Sequence, residues 1–425
     1  MAPPRTEPTT ARDLRWLAAL CGGRILFSLL FVAYAAILPL LQEAWGMSAS
    51  AAGLVQSGWH AGYVVSLFAA GVFADRIGAR RTFLGMSLAA CAAALAFAAF
   101  ARDSLSALVL YTLAGVCAGG SYTPVLALIA QRFAPRERGR AMGWYLAAGS
   151  LGYAIGLGSS GPLVEWGGWR LSLYVAAFGT LAGTLVGFYL MRGVRDEPHV
   201  VDSPARQPSR MAEVLRNKPA MLVIGAYTFH SWELLGMWAW LPAFLAVAAA
   251  HGGTLDASMV GLGALLAGLT HLTSVAGSLL GGAWSDRYGR TAVMLAMGIS
   301  SLACSFVFGW LVAAPLWLLV AIAMFFNLTG IGDSSVYSTA LTELVPPRIV
   351  GSAFSIRSVA GFGVGAVSPW LFGVVLDATR AAHLPETYVW GLAWTVLAVG
   401  ALPGPLMAWK LRRTPESRAM AEGKR

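Results

Sequence analysis

The chain has 425 residues, of which 57% are hydrophobic and only 12% charged, about half the roughly 25% of an ordinary soluble domain. So little charge cannot cover a water-soluble globule, while 16 Trp and 19 Phe exclude a disordered chain and four Cys are too few for a disulfide scaffold. What remains is a polytopic, all-helical membrane protein, in which the net charge of +10 reads as topology and not as nucleic-acid affinity.

Stretches approaching the ~20 apolar residues that cross ~30 Å of hydrocarbon recur twelve times: 16–41, 52–74, 82–100, 105–130, 141–163, 170–191, 220–248, 258–284, 291–311, 315–342, 352–376 and 386–409. The first is longer than a signal-peptide core and lacks a cleavage site, so it is expected to be retained as a helix. Placing the N-terminus in the cytoplasm puts 25 of the 30 basic residues on that side, against Arg102, Arg170 and Arg380 opposite and Arg24 and Arg357 within spans. That bias predicts both termini inside the cell. Cys21, Cys91, Cys117 and Cys304 all fall in spans, so no structural disulfide is expected.

The segment Gly71-Val-Phe-Ala-Asp75-Arg76-Ile-Gly78 recurs, 211 residues on, as Gly282-Ala-Trp-Ser-Asp286-Arg287-Tyr-Gly289. One half of the chain is thus a copy of the other. The expected organisation is a cytoplasmic tail at 1–15, a six-helix bundle at 16–191, a polar linker at 192–219, a second bundle at 220–410 and a tail at 411–425. Six helices per half place the two copies parallel, related by an axis along the membrane normal.

These residues resemble the major facilitator superfamily. Gly71-x-x-x-Asp75-Arg76-x-Gly78-x-Arg80-Arg81 is similar to its signature loop, as are the repeat after the eighth helix, the loop Arg136-Glu-Arg138-Gly-Arg140 and the entry Gly168-Trp169-Arg170. The resemblance implies two pseudo-symmetric bundles that work by alternating access, with gating at Gly71, Asp75, Arg76, Gly78, Arg80, Gly282, Asp286, Arg287 and Gly289. Gly71 and Gly282 are expected to permit close helix contact, and the Asp-Arg pairs to anchor neighbouring helix ends. Two departures stand out. Tyr111 occupies the place, four residues before Gly115, where proton-coupled members often carry arginine. Gly152-x-x-x-Gly156, with the proline displaced to Pro162, departs from the antiporter pattern and points away from drug-type antiport.

Ionisable groups at membrane depth cost roughly 2.5 to 3.5 kcal/mol each and call for a partner, a cavity or an exit to the surface. Here they are Arg24, His60, His230, Glu233, His271, Asp333 and Arg357. The repeat matches His60 to His271, each roughly 20 Å from the Asp of its loop, and two such imidazoles can face one another across a cavity or simply pack. Gln56, one turn from His60, extends the polar stripe. His230 and Glu233, three apart, share a helical face. Because burial disfavours a charged carboxylate, Glu233 is the expected proton carrier. Arg24 either reaches the surface or binds a substrate anion. Arg357 is expected to pair with Asp75 or Asp333 at the interface of the halves, and the polar run 327–335 to line the cavity.

The function read from these features is a secondary transporter, not an enzyme, taking up a small polar or anionic organic solute together with protons across the inner membrane. Arg24, Gln56, His60, His230, His271 and Asp333 are its expected substrate contacts. Proton-coupled efflux of an amphipathic compound is the alternative. Neither a cofactor, a metal nor a nucleic acid is called for, and the expected unit is a monomer in the bilayer.

Overall fold

A computed structural model of the chain describes residues 10–194, 207–418 and 420–424; the side chains of Asp75, Pro135, Arg136, Arg138, Gly139, Gln207, Pro208 and Ser209 lie outside that description. The gating role expected of Asp75 therefore rests on a side chain that is not described, as does the part of the signature resemblance carried by Arg136 and Arg138.

In chain order the helices are α1 (Ala11–Ala36), α2 (Leu38–Trp45), α3 (Ala49–Ile77), α4 (Ala79–Phe100), α5 (Ser104–Ala118), α6 (Thr123–Arg132), α7 (Pro135–Leu190), α8 (Gln207–Arg216), α9 (Lys218–Ala250), α10 (Ala257–Tyr288), α11 (Arg290–Phe308), α12 (Leu316–Leu344), α13 (Val350–Gly365), α14 (Ser368–Ala381), α15 (Glu386–Ala401) and α16 (Pro403–Arg412). Ten described stretches are long and apolar enough to cross a membrane. One of them, 140–190, is two helices folded back at Gly167 and Gly168, the latter at φ 69°, and α3, made polar by Gln56 and His60, brings the crossings to twelve.

Several crossings are broken where the sequence pattern reads as continuous. Pro39, Pro124, Pro369 and Pro403 each stand in the first turn of the second piece, because a ring without an N–H that disfavours helix in the preceding residue suits a restart better than an interior. At its motif glycines the 211-residue repeat extends to backbone geometry. Gly78 ends α3 at φ 97°, ψ 149° and Gly289 ends α10 at φ 94°, ψ 147°. Only glycine takes that turn freely.

The face carrying these two turns, α8 and the last residue of α16 is the terminal face; the opposite one is the far face. Between the halves, close approach is a far-face property. Gly53 of α3 lies against the Pro369 carbonyl, Gly373 of α14 against Ala49, Gly161 of α7 against Gly261 of α10, and Gly268 against Ala154 and Gly158. Toward the terminal face, a Cβ at Gly71, Gly143, Gly282 or Gly351 would meet nothing within 4 Å. The contact expected at Gly71 and Gly282 is thus absent in this state, since the halves meet at one end and part at the other. The close contacts between the halves thus lie toward the far face.

On that face Arg290 pairs with Asp286 and, at 2.9 Å, with Glu343, while Arg132 pairs with Asp13 at 2.8 Å. Each network stays within one half. Arg76 is exposed, and Arg287 lies over the Tyr288 ring at 5.3 Å. The helix α8 docks on the second half through buried Val214 and the Glu213–Arg348 pair.

Candidate functional site

Arg24 is 6% exposed, one of the few cations inside the fold. Its Nη1 donates to Ser121 Oγ at 3.0 Å, and its guanidinium carbon lies 5.4 Å from the Tyr145 ring and 5.6 Å from the Phe31 ring. Tyr145 in turn donates to the Ser121 carbonyl at 2.5 Å. Gly149 leaves the space, since a Cβ there would stand 3.3 Å from Arg24 Nε. Tyr63, Tyr122 and Tyr153 complete its electrostatic surroundings, with no acidic partner among the described residues. Of the two readings of Arg24, reaching the surface is therefore the one the geometry does not follow.

Arg357, 7% exposed, is its counterpart in the other half. Its Nη1 donates to Ser338 Oγ at 2.5 Å, and its guanidinium lies 4.3 Å from the Tyr227 ring and 4.7 Å from the Phe354 ring. The expected ion pair with Asp333 is not made, because His230 stands at that carboxylate instead. Tyr122, at the break between α5 and α6, lies within electrostatic reach of both guanidiniums.

Beyond the arginines, toward the far face, six rings from six different helices form a layer that spans the contact of the halves. Phe31 of α1 meets Tyr63 of α3 at 5.2 Å and Tyr153 of α7 at 5.7 Å; Tyr63 crosses to Phe362 of α13 at 5.4 Å. Tyr153 crosses to Trp238 of α9 and His271 of α10, both at 5.6 Å. Phe31 is seven residues past Arg24, roughly 10 Å at helical rise. Thus the layer separates the buried guanidiniums from the far face.

The matched histidines have different surroundings. His271 packs between Tyr153 and Trp238 with Nδ1 unpartnered, whereas His60 has its Nε2 3.2 Å from Gln56 Nε2 on its own helix. The repeat fixes equal depth, and even the packing of α3 on α14 matches that of α10 on α7, yet the residues around the two imidazoles differ, so they find different partners. Tyr111, in the place of the family's arginine, is fully buried and stacked on Trp59 at 4.7 Å.

His230 and Glu233 diverge in the same way, because a spacing of three leaves their side chains a sixth of a turn apart. Glu233 accepts from Ser301 Oγ at 2.9 Å and from Ser305 Oγ at 2.6 Å, both on α11. His230 turns to α12, with Nε2 2.9 Å from Ser334 Oγ and Nδ1 3.2 Å from Asp333 Oδ1. Asp333 is fully buried, and neither of its oxygens has an aligned hydrogen bond. The polar run around it is buried at Asn327 and Asp333 and partly exposed at Ser334 and Ser335. Asn327 is fully buried, accepting from Trp238 Nε1 at 3.1 Å and donating to Thr270 Oγ1 at 2.8 Å. The tyrosines and Ser121, Ser301, Ser305 and Ser338 escape a sequence reading, since apolar helices contain many such groups with nothing to mark the ones that converge.

The Major Facilitator Superfamily model matches residues 20–272 and 255–425. The chain is 27% identical over 390 residues to the "Probable sulfoacetate transporter" of Cupriavidus necator, covering 86% of each, and 25% identical over 371 residues to the "Hexuronate transporter" of Bacillus subtilis, covering 80% of this chain and 82% of that one. Its fold is similar to that of a D-xylose-proton symporter, with a TM-score of 0.74 at 15% identity over 95% of this chain and 98% of that one. The chain belongs to the Major Facilitator Superfamily and is a multi-pass membrane transporter.

Proposed function

We propose that this member of the Major Facilitator Superfamily takes up a small organic anion together with a proton, holding the anion between Arg24 and Arg357. One observation carries the reading: each half buries a guanidinium whose partners are a serine hydroxyl and aromatic rings, with no carboxylate among the described residues. A desolvated cation without a counter-charge is costly, and an anion arriving between the halves relieves two such costs at once. Because the cations belong to different halves, the anion also draws the halves together, which ties binding to the change of access. The sulfoacetate and hexuronate carriers named above move organic acids, which supports the class. Gln56 Oε1 and His271 Nδ1, buried and unpartnered, supply further polar contacts, with His60 beside Gln56.

An anion entering a cell works against an inside-negative potential, so a co-transported proton offsets its charge. The cluster of His230, Glu233 and Asp333 is the proposed place for that proton. The excess of basic residues in the loops of the terminal face supports reading that face as the cytoplasmic side of a plasma membrane.

The test is transport by the purified chain in proteoliposomes supplied with sulfoacetate or glucuronate under an acid-outside gradient. Accumulation of either anion, abolished by a protonophore, is the expected result. Failure to move any organic anion, with an amphipathic cation expelled instead, would favour the efflux reading.

A further inference from the structure

We propose that Asp333, rather than Glu233, holds the exchangeable proton, and that His230 is the relay through which it leaves. This rests on the proton-coupled reading above and narrows it to one carboxyl group. The two buried acids differ in how they are held. Both oxygens of Glu233 accept serine hydroxyls from α11, a closed arrangement within one pair of helices. Asp333 is fully buried with no aligned hydrogen bond to either oxygen; its polar neighbours are the His230 imidazole, at 3.2 Å, and the Tyr337 hydroxyl one turn along α12, neither of which closes on it as the two serines close on Glu233. An acid group left so has the most to gain from a proton and the least to lose by exchanging it.

His230 stands where a relay belongs. Its Nδ1 is within proton-transfer distance of Asp333 at 3.2 Å, and its Nε2 is 2.9 Å from the Oγ of Ser334, the partly exposed residue that follows Asp333 on α12. Asp333 and the imidazole are close but not aligned, so the proton is trapped until α9 and α12 shift relative to one another. In the step itself the Asp333 O–H bond breaks as its proton moves to Nδ1, while the proton on Nε2 passes to the Ser334 hydroxyl, which releases one to water. Asp333 is left as carboxylate and the imidazole neutral. Recharging runs the same path backwards once the cavity faces the other side, so one proton enters and one leaves.

Other groups around the pair set its electrostatics. From α9 come Tyr227, His230 and Glu233, with Cys304 of α11 beside the last. On α12 itself Tyr337 lies next to His230, their rings 5.6 Å apart. α10 brings glycines to this contact, Gly277 against Leu328 and Gly281 against Gly332. Arg357 of α13, over Tyr227, is the cation within reach of His230. A passing imidazolium is disfavoured while Arg357 is uncompensated and is tolerated once an anion sits on it. Anion and proton therefore leave on the same side in the same step, which is the sign that symport requires.

The experiment is infrared titration of the full chain in lipid, following the C=O stretch of a protonated carboxylic acid as the pH rises. No substrate is needed, so its failure is separate from failure of the anion reading, which the transport assay detects. In wild type a band is expected to disappear with rising pH and to shift when aspartate, but not glutamate, is carboxyl-¹³C-labelled. Glu233→Gln should keep the band, and Asp333→Asn should lose it. If Asp333→Asn does not fold, the isotope shift in the wild type decides alone. A titrating band that moves with labelled glutamate, or survives in Asp333→Asn, or the absence of any titrating carboxyl band, overturns the proposal.

Discussion

Asp377, near the end of α14, caps the first turn of α3 in the opposite half, its Oδ1 2.8 Å from the backbone nitrogen of Ala49. Its second oxygen takes the N–H of Ser50, also at 2.8 Å. The first N–H groups of a helix have no partner within the helix and carry the positive end of its dipole, so one carboxylate both satisfies and neutralises this end. Nothing in the repeat predicts it. The bond can exist only while the far face is closed.

Replacing Asp377 by Asn should therefore favour opening of the far face. Charge-assisted hydrogen bonds contribute roughly 1.5–3 kcal/mol, so weakening two of them is expected to shift the equilibrium about tenfold or more. Spin labels on exposed Glu43 and Arg380 would read this as a new, longer distance population. An unchanged distribution would show that Asp377 merely decorates the closure.

Glycine positions give a second, steric test. A side chain at Gly53 would overlap the Pro369 carbonyl, whereas one at Gly71 enters open space. Gly53→Ala is expected to cost the far-closed state roughly 1–3 kcal/mol through overpacking, and Gly71→Ala less than about 0.5 kcal/mol in the same state. The same distance measurement compares them. Equal effects would contradict the one-sided contact.

For the anion site, Arg24→Gln and Arg357→Gln should each weaken binding of a transported anion about tenfold or more, since each removes a charge-assisted contact. Lysine should restore only part, because it cannot reproduce a guanidinium stacked on Tyr145 or Tyr227. Isothermal titration against sulfoacetate or glucuronate checks both. Retained affinity in Arg357→Gln would confine recognition to the first half.

Orientation is tested by single cysteines at Gly423 and Asp103 with a membrane-impermeant maleimide on intact cells, in a background lacking the four native cysteines. Asp103, at the far-face start of α5, should be labelled and Gly423 should be protected until the membrane is permeabilised. The reverse pattern would invert the topology.

The crossings, the repeat and the buried ionisable residues are legible in the chain, because each depends on composition or on spacing along one helix. Apolar length reads as a crossing, a 211-residue shift reads as duplication, and Gly78 and Gly289 adopt matching left-handed turns as their common motif implies. Helical periodicity says which face a side chain shares, yet not which helix lies across from it. For that reason Glu233 and His230, three apart, end on α11 and α12 respectively, and the matched His60 and His271 find different partners, Gln56 for one and the Tyr153 and Trp238 rings for the other. Arg357 meets Ser338 and leaves Asp333 to His230, and the glycines that join the halves include Gly53, Gly161, Gly261 and Gly373, with Gly71 and Gly282 apart from any neighbour. The sequence by itself determined the class, the number of crossings and which polar groups had to be buried, since insertion into lipid is decided segment by segment. Only the tertiary structure decided how those groups are partnered and which face of the molecule is closed, since both depend on how the two bundles are tilted against each other.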